Sequence, residues 1–369
     1  MKILFLCGSL EPGRDGVGDY TRRLAGELMR LGHSVSVIAL KDREVKTVEN
    51  TCQKMEEQNI PVIRIPYMFP NTHRYSIVNK HITCYDWDWI SWQFVIYGYH
   101  KRGLPFDLPK QIKKIKSKAR WNIMFHEIWT GIYREAPFRF RIYGILQKYI
   151  IRQILSIIKP NIITTQSAVY QQMLENLTTE KIYRLALFGN IPVIEYNRTE
   201  YKQNKSTVKI IVFGSIYPVE NFMEFCDWIT EEKSSTSKNI ELYFVGKNGQ
   251  ELGKWIDIME KHNIPFKILG EQNEETISHI MSESSAGLGT TPYPLIEKSG
   301  SVAAMLEHDL PVICLSKKWT PRKHILFDIE IPVVIWSNNL KINKIINMPP
   351  YRKNSLKNIA SEFINLLKL

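Results

Sequence analysis

The sequence predicts an α/β fold with two doubly wound, Rossmann-like domains facing a central cleft. Three observations carry this expectation. Short β-branched apolar runs alternate with helical stretches along the whole chain, the pattern of parallel sheets covered by helices on both faces. The alternation pauses at EYNRTEYKQNKST, residues 195–207, a polar stretch poor in large aliphatics, and then restarts. Finally, 369 residues with 44% hydrophobic composition are too many for one ordinary core.

The strands of the first half are expected at 2–7, 34–39, 61–65, 89–95, 121–125 and 161–165, with a weaker one at 182–187. Several are bounded by Gly, Pro or Asn, as buried parallel strands are. Helices are expected at 18–31 and 137–158. In the second half the strands fall at 208–213, 240–245, 266–269, 287–289, 312–314 and 333–334, with helices at 219–232, 273–281 and 299–306. Leu356, Ile359, Phe363, Leu366 and Leu367 share one face of a terminal helix. The expected organisation is a first Rossmann-like domain over 1–195, a linker over 196–207, a second Rossmann-like domain over 208–350 and a C-terminal helix over 351–369. In doubly wound sheets ligands sit outside the carboxyl ends of the strands.

Five scattered cysteines without C-x-x-C spacing argue against a disulfide framework or a zinc site. No secretory core or membrane span is visible, so a reducing cytoplasm is expected, with possible placement at the inner membrane face. The net charge is +12, and residues 101–160 hold fourteen Lys or Arg against three Asp or Glu, nearly the whole surplus. Such a field attracts anionic lipid surfaces or phosphorylated substrates; nucleic acid is not the expected partner. Within it Phe138, Phe140, Ile142, Ile145, Leu146, Tyr149, Ile150 and Ile154 recur near helical spacing among Arg139, Arg141, Lys148 and Arg152. A helix lying on an anionic membrane and a helix packed on a sheet both fit this pattern.

Two glycine-containing turns carry candidate chemistry. Gly13-Arg14-Asp15-Gly16-Val17-Gly18-Asp19-Tyr20 follows the first strand and opens the first helix. Its glycines allow close approach of a ligand, and the helix start is expected to offer N–H groups to an anion or hydroxyl. A plain strand–helix turn is the competing reading. In the second half, Tyr293-Pro294-Leu295-Ile296-Glu297-Lys298-Ser299-Gly300-Ser301 runs into a helix. Ser299, Gly300 and Ser301 supply amides and hydroxyls and Lys298 a charge, a set suited to a diphosphate; an ordinary capped helix is the alternative. His126 ends a strand and can reach a sugar hydroxyl or the acceptor, with Glu127 as runner-up and a structural histidine as the rival reading. Gln93, Phe94, Tyr97 and Tyr99 either line the acceptor side or fill the core.

GVGDYTRRLAGELMRLGHSVSVI, residues 16–38, resembles the glycine-rich loop, first helix and second strand of family 4 glycosyltransferases, which have the GT-B fold. NIPV at 190–193 resembles the segment that closes their N-terminal domain. IIVFGS at 210–215, LYFVG at 242–246 and ILGEQNEETI at 268–277 resemble the opening strand–loop units of their donor domain, in the expected order. The resemblance implies that Gly16, Val17, Gly18 and Asp19 form an acceptor or cleft loop. It implies a donor site from Gly214, Ser215, Gly246, Lys298, Ser299, Gly300 and Ser301, and catalytic roles for His126 and Glu297. Two departures stand out. Glu297 approximates the first of two family glutamates, but the second falls at Met305, or at Glu307 if the register slips. Where the family has Arg and Lys around the diphosphate, this chain has Ser215 and Glu220, so Lys298, Lys247 or Arg14 would have to substitute. Asp86-Trp87-Asp88 matches the D-x-D metal motif of the other glycosyltransferase fold, in the wrong architecture.

The resemblance implies a hexosyltransferase that is retaining and metal-independent, with a nucleotide-diphosphate sugar as donor substrate and no cofactor. A glycan or lipid-linked acceptor in surface polysaccharide synthesis is expected. A non-catalytic sugar- or nucleotide-binding relative and a nucleotide-sugar epimerase on the same plan are the alternatives.

Overall fold

The computed structural model describes residues 1–194, 206–322, 328–351 and 353–369. The expected linker 196–207 lies outside these residues except for Ser206 and Thr207. The chain divides into two compact units, residues 1–186 with 320–328 and 356–369, and residues 187–319 with 329–355.

The first unit is an eight-stranded sheet in the order β3-β4-β2-β1-β5-β6-β7-β8. Its strands are β1 (Lys2–Cys7), β2 (Ser34–Asp42), β3 (Glu49–Met55), β4 (Gln58–Pro66), β5 (Trp89–Phe94), β6 (Arg120–Phe125), β7 (Ile162–Thr165) and β8 (Ile182–Arg184). All pairings are parallel except β3 with β4. The helices are α1 (Gly16–Arg30), α2 (Asn71–Thr83), α3 (Leu108–Ile112), α4 (Phe138–Ile158) and α5 (Ala168–Glu175). β1 and β5 are buried on both faces, which explains their continuous apolar sequences. β3 escapes a search for apolar runs because ENTCQKM is an edge strand with mostly exposed side chains.

The second unit has six parallel strands in the order β11-β10-β9-β12-β13-β14. They are β9 (Thr207–Phe213), β10 (Asn239–Val245), β11 (Phe266–Gly270), β12 (Ala286–Gly289), β13 (Val312–Cys314) and β14 (Val333–Ile335). The helices are α6 (Phe222–Thr236), α7 (Glu251–Lys261), α8 (Glu274–Glu283), α9 (Gly300–Glu307) and α10 (Ile342–Ile346). The NIPV segment lies in this unit. Ile191 is buried with Met305 and Leu306, and the Gly189 amide donates to Glu307 Oε2 at 3.0 Å. The last helix, α11 (Leu356–Leu367), belongs to the first unit, where the Phe363 ring stacks on Phe5 with centroids 5.9 Å apart.

In each unit the strand order reverses beside the first strand, between β1 and β5 and between β9 and β12. A ligand crevice is expected at the carboxyl ends there. In the first unit that end is anchored by buried charge. Asp42, at the end of β2, accepts from the Leu10 amide at 3.0 Å and from Arg64 Nε at 2.7 Å, and Arg64 also holds Glu11 and Glu49. Burial alone would raise the Asp42 carboxyl, but Arg64 and the Leu10 and Glu44 amides together hold it below the ordinary carboxylate range.

Asp42→Ala removes the acceptor of a backbone amide and the fully buried partner of Arg64. Chemical denaturation at pH 7 should show a loss of about 3–5 kcal/mol. Because the folded-state pKa is depressed, this contribution is complete above about pH 4 and fades as the pH falls further. An Asp42→Ala deficit that stays constant down to pH 2 contradicts the assignment.

Candidate functional site

In the first unit the loop between β1 and α1 is held by carboxylates. Asp15 caps α1, with Oδ1 accepting from the Val17 amide at 3.0 Å and the Gly18 amide at 2.7 Å. Asp19 accepts from the Gly13 amide at 3.1 Å and pairs with Arg22. The helix start therefore does not offer the amides of Val17 and Gly18 to an anion, as the sequence suggested, because Asp15 already occupies them. Gly18 is required by space: a Cβ there would lie 2.6 Å from the Ser9 carbonyl oxygen. Gly16 has nothing within 4 Å of an added Cβ and is exposed, so the room above it is open.

His126 follows β6 and is buried. Its Nε2 lies 2.8 Å from Gln93 Oε1 and its Nδ1 2.8 Å from Gln166 Nε2. With the amides in these orientations, Nε2 donates to Gln93 and Nδ1 accepts from Gln166. Tyr20, on α1, packs edge-on against the ring at 4.8 Å, so the glycine loop's helix and His126 are neighbours. Glu127 accepts from the Tyr170 hydroxyl at 2.9 Å. Phe94 and Tyr99 are core residues, with the Tyr99 hydroxyl accepting from Trp92 Nε1 at 2.7 Å. No sequence signal marks Gln166, whose contact with His126 depends on β7 lying beside β6.

In the second unit the donor-site candidates converge at the carboxyl ends of β9, β10 and β12. Gly214 has φ +78° and Gly246 φ +85°, backbone that a side chain would strain. A Cβ on Gly214 would lie 3.7 Å from Ser301 Cβ, and one on Gly246 3.5 Å from the Gly214 nitrogen. Ser299 caps α9, and its hydroxyl joins Ser301 Oγ at 3.1 Å and Thr291 Oγ1 at 3.0 Å. Nothing lies within 4 Å of a Cβ on Gly300. Asn248 ties the β9 and β10 loops together, its Nδ2 donating to the Gly214 carbonyl at 2.8 Å and its carbonyl accepting from the Ile216 amide at 3.0 Å. Thr290 accepts from the Tyr217 amide at 2.9 Å. Asn248, Thr290 and Thr291 were missed, although each lies within three residues of a strand end that was expected.

The turn geometry follows from β12. A Cβ on Gly287 would overlap the Met305 side chain, and one on Gly289 would lie 2.9 Å from Val302 Cγ2. The two glycines let α9 lie close on the sheet, which brings its N-terminus beside Gly214. Glu297 sits in the 3-10 turn Tyr293–Lys298 with its side chain buried, and its Oε1 accepts from the Glu330 amide at 3.4 Å. Neither candidate for a second glutamate offers a carboxylate to this turn: Met305 is core, and Glu307 holds the Gly189 amide. Of the substitute cations, Lys247 is exposed and paired with Glu271 at 2.7 Å, and Arg14 lies in the first unit. Ser215 and Glu220 are exposed. Asp88 of the D-x-D accepts from the Lys2 amide at 2.7 Å, at the amino-terminal edge of the first sheet, away from the strands' carboxyl ends.

Gly18→Ala should cost about 2 kcal/mol in urea denaturation, because backbone must yield to the new methyl, while Gly16→Ala should change stability by less than about 0.5 kcal/mol. Equal effects contradict the packing described. Asp15 gives a test with a sign. Burial raises its pKa, aided by Asp19 and Asp42 and opposed by the Gly18 and Val17 amides. The folded state thus holds the proton more tightly, and stability declines as pH rises through the raised pKa. Asp15→Asn keeps the capping oxygen without the charge and should match or exceed the wild type at pH 7, whereas Asp15→Ala should lose about 1 kcal/mol. If Asn is as damaging as Ala, the charge itself is needed.

No family profile matches the sequence, and no curated protein matches it. Solved structures do resemble it along its whole length. A glycosyltransferase from Rickettsia africae ESF-5 aligns over 99% of this chain and 97% of its own, with TM-score 0.58 and 13% identity. Sucrose-phosphate synthase from Thermosynechococcus elongatus covers 100% and 95%, with TM-score 0.57 and 12% identity. HepE of Anabaena, solved with UDP and glucose, covers 100% and 97%, with TM-score 0.57 and 13% identity. Likeness at such low identity speaks to the fold: two mostly parallel, helix-flanked sheets matched end to end by glycosyltransferase structures give this chain the GT-B fold.

Proposed function

We propose that this chain is a glycosyltransferase that moves a hexosyl group from a nucleotide-diphosphate sugar to a glycan or lipid-linked acceptor in surface polysaccharide synthesis, as a peripheral protein of the cytoplasmic membrane face touching anionic lipid through residues 101–160. The convergence of Gly214, Gly246 and Ser299–Ser301 at the strand-order reversal of the second unit carries the reading. Backbone without side chains lies there beside a helix start rich in hydroxyls, an environment that accepts a diphosphate.

On this reading the α9 amides, the Ser299 and Ser301 hydroxyls and Lys298 stabilise the charge that grows on the departing diphosphate. Fixed dipoles do this without reorganisation, so no metal is required. The reaction is retaining. Glu297 faces the donor sugar, and His126 meets an acceptor hydroxyl when the ligand takes the place of Gln93 or Gln166 on one of its ring nitrogens. Gly16, Val17, Gly18 and Asp19 form the acceptor loop, where the open space over Gly16 leaves room for a ligand.

Ser215, the exposed Glu220 and the Lys247–Glu271 pair favour a second reading, a binder of nucleotide sugars without turnover. A panel of nucleotide sugars read by thermal shift, followed by acceptor-dependent release of nucleoside diphosphate in EDTA, separates the two. Stabilisation without release supports the binder, and no stabilisation by any donor ends both. Lys298→Ala should raise the donor dissociation constant about tenfold by calorimetry, near 1.4 kcal/mol. An unchanged constant removes Lys298 from the diphosphate.

A further inference from the structure

A chain of polar side chains crosses β5, β6 and β7 of the first sheet. Ser91 and Gln93 of β5, Asn122 of β6 and Thr164 of β7 are buried, and so are His126 and Gln166 just past the ends of β6 and β7. Parallel strands covered on both faces are ordinarily filled with Val, Ile and Leu, and a polar side chain there is costly unless it is bonded. Here each is bonded to the next. Gln166 Nε2 lies 2.8 Å from His126 Nδ1, and His126 Nε2 lies 2.8 Å from Gln93 Oε1. Gln93 Nε2 is 2.9 Å from Ser91 Oγ, which is 2.8 Å from Asn122 Oδ1, and Asn122 Nδ2 is 3.2 Å from Thr164 Oγ1.

The chain has one direction. Asn122 Nδ2 also donates to the Ile162 carbonyl at 3.4 Å. A carbonyl only accepts, so the Asn122 nitrogen lies on that side and its Oδ1 faces Ser91. The Ser91 hydroxyl must then donate to Oδ1 and accept from the Gln93 amide, which turns Gln93 Oε1 towards the imidazole. His126 Nε2 therefore donates, and Nδ1 is the accepting nitrogen.

The two glutamines on the ring are not equivalent. The register pairs Phe94 with Phe125 and Phe125 with Thr165, so Gln93 sits deeper in the sheet than His126, and Gln166 sits abreast of it at the carboxyl end. Ligands of doubly wound sheets lie at that end. Gln93 is held at both ends of its amide, whereas among the described residues the Gln166 side chain has no hydrogen bond except the one to Nδ1. The backbone on either side of Gln166 is pinned: Thr165 Oγ1 donates to the Phe125 carbonyl at 3.0 Å, and Ser167 caps α5. Taking Gln166 off the ring needs only a side-chain rotation. Taking Gln93 off it breaks the chain behind.

We propose that a hydroxyl of the substrate takes the place of the Gln166 amide on His126 Nδ1, while Gln93 keeps Nε2. Gln166 is a placeholder that satisfies the ring until the ligand arrives, and Gln93, with Ser91 and Asn122 behind it, is a positioning residue. The polarity selects the ligand group: it must donate, which a hydroxyl does and a carboxylate or fully ionised phosphate does not. The proposal rests on the reading that His126 meets substrate, and it decides which ring nitrogen does so.

The test uses the full chain with its nine histidines labelled with 15N, the His126 resonances being assigned by their loss in His126→Gln. Long-range 1H–15N spectra should show the proton on Nε2 and Nδ1 bare in the wild type and in Gln166→Ala, and a mixture of tautomers in Gln93→Met. The probes are the methyl glycosides of glucose, galactose and mannose. At least one should move Nδ1. Gln166→Ala should bind it about threefold more tightly or better, because one competing hydrogen bond is gone, and Gln93→Met should bind it more weakly. A proton on Nδ1 in the unliganded wild type, glycosides that leave Nδ1 unmoved, or a response to inorganic phosphate and to no glycoside each overturn the proposal. Binding that is no tighter in Gln166→Ala overturns it too, since an amide that competes for Nδ1 must show its removal. If melting temperatures show that a variant does not fold, the wild-type spectra decide alone. Acceptor-dependent release of nucleoside diphosphate stands or falls separately. Release alongside any of the overturning results leaves transfer without the placeholder, and a glycoside on Nδ1 with no release leaves the placeholder without transfer.

Discussion

The second unit depends on two missing side chains. Gly287 and Gly289 remove the layer of side-chain matter that would normally separate β12 from α9. Interiors are close-packed, so a methyl at either position must displace Met305 or Val302, or lift the helix. With both absent, α9 sits low and its first turn, Ser299–Ser301, meets the loop after β9. Gly214 and Gly246 both take positive φ at the ends of β9 and β10. The site comes from backbone geometry, and the polar side chains of Asn248, Thr290 and Thr291 hold that geometry in place.

The first unit solves the same topological problem with the opposite chemistry. There the loop at the strand-order reversal is clamped by Asp42, Asp15 and Asp19, which accept amides from Leu10, Val17, Gly18 and Gly13. A carboxylate on the amides of a helix start excludes a second anion from the same donors. The two glycine turns that look alike in sequence therefore differ in the amides they leave open: Asp15 occupies those at the start of α1.

The fold was legible because buried parallel strands write themselves as apolar runs. KILFLC and TVKIIVF could hardly be anything else. The hairpin strand β3 was not legible, since an edge strand with exposed side chains has no such signature. Glycine positions of the donor-site candidates were visible, but their reasons were not. Gly18 is set by the Ser9 carbonyl and Gly287 by Met305, contacts between residues well separated along the chain. The same holds for Gln166 and Asn248, ordinary amides until strand order puts them against His126 and Gly214. The capping role of Asp15 was readable in principle, because an Asp directly before a helix is a strong cap signal.

The charge pattern gives the last constraint. A diphosphate carries charge that must be met by charges or by aligned dipoles. Around Gly214 this chain has spent its cations elsewhere: Lys247 answers Glu271, and Glu220 and Ser215 stand where basic residues would be useful. The helix dipole contributes about half an elementary charge at its N-terminus. On the proposed reading, a donor is bound there chiefly by hydrogen bonds of fixed direction. Such bonds discriminate by geometry more than by net charge, and they lose less to added salt than exposed ion pairs do. The large positive surplus of the chain lies instead around α4 and the basic stretch before it.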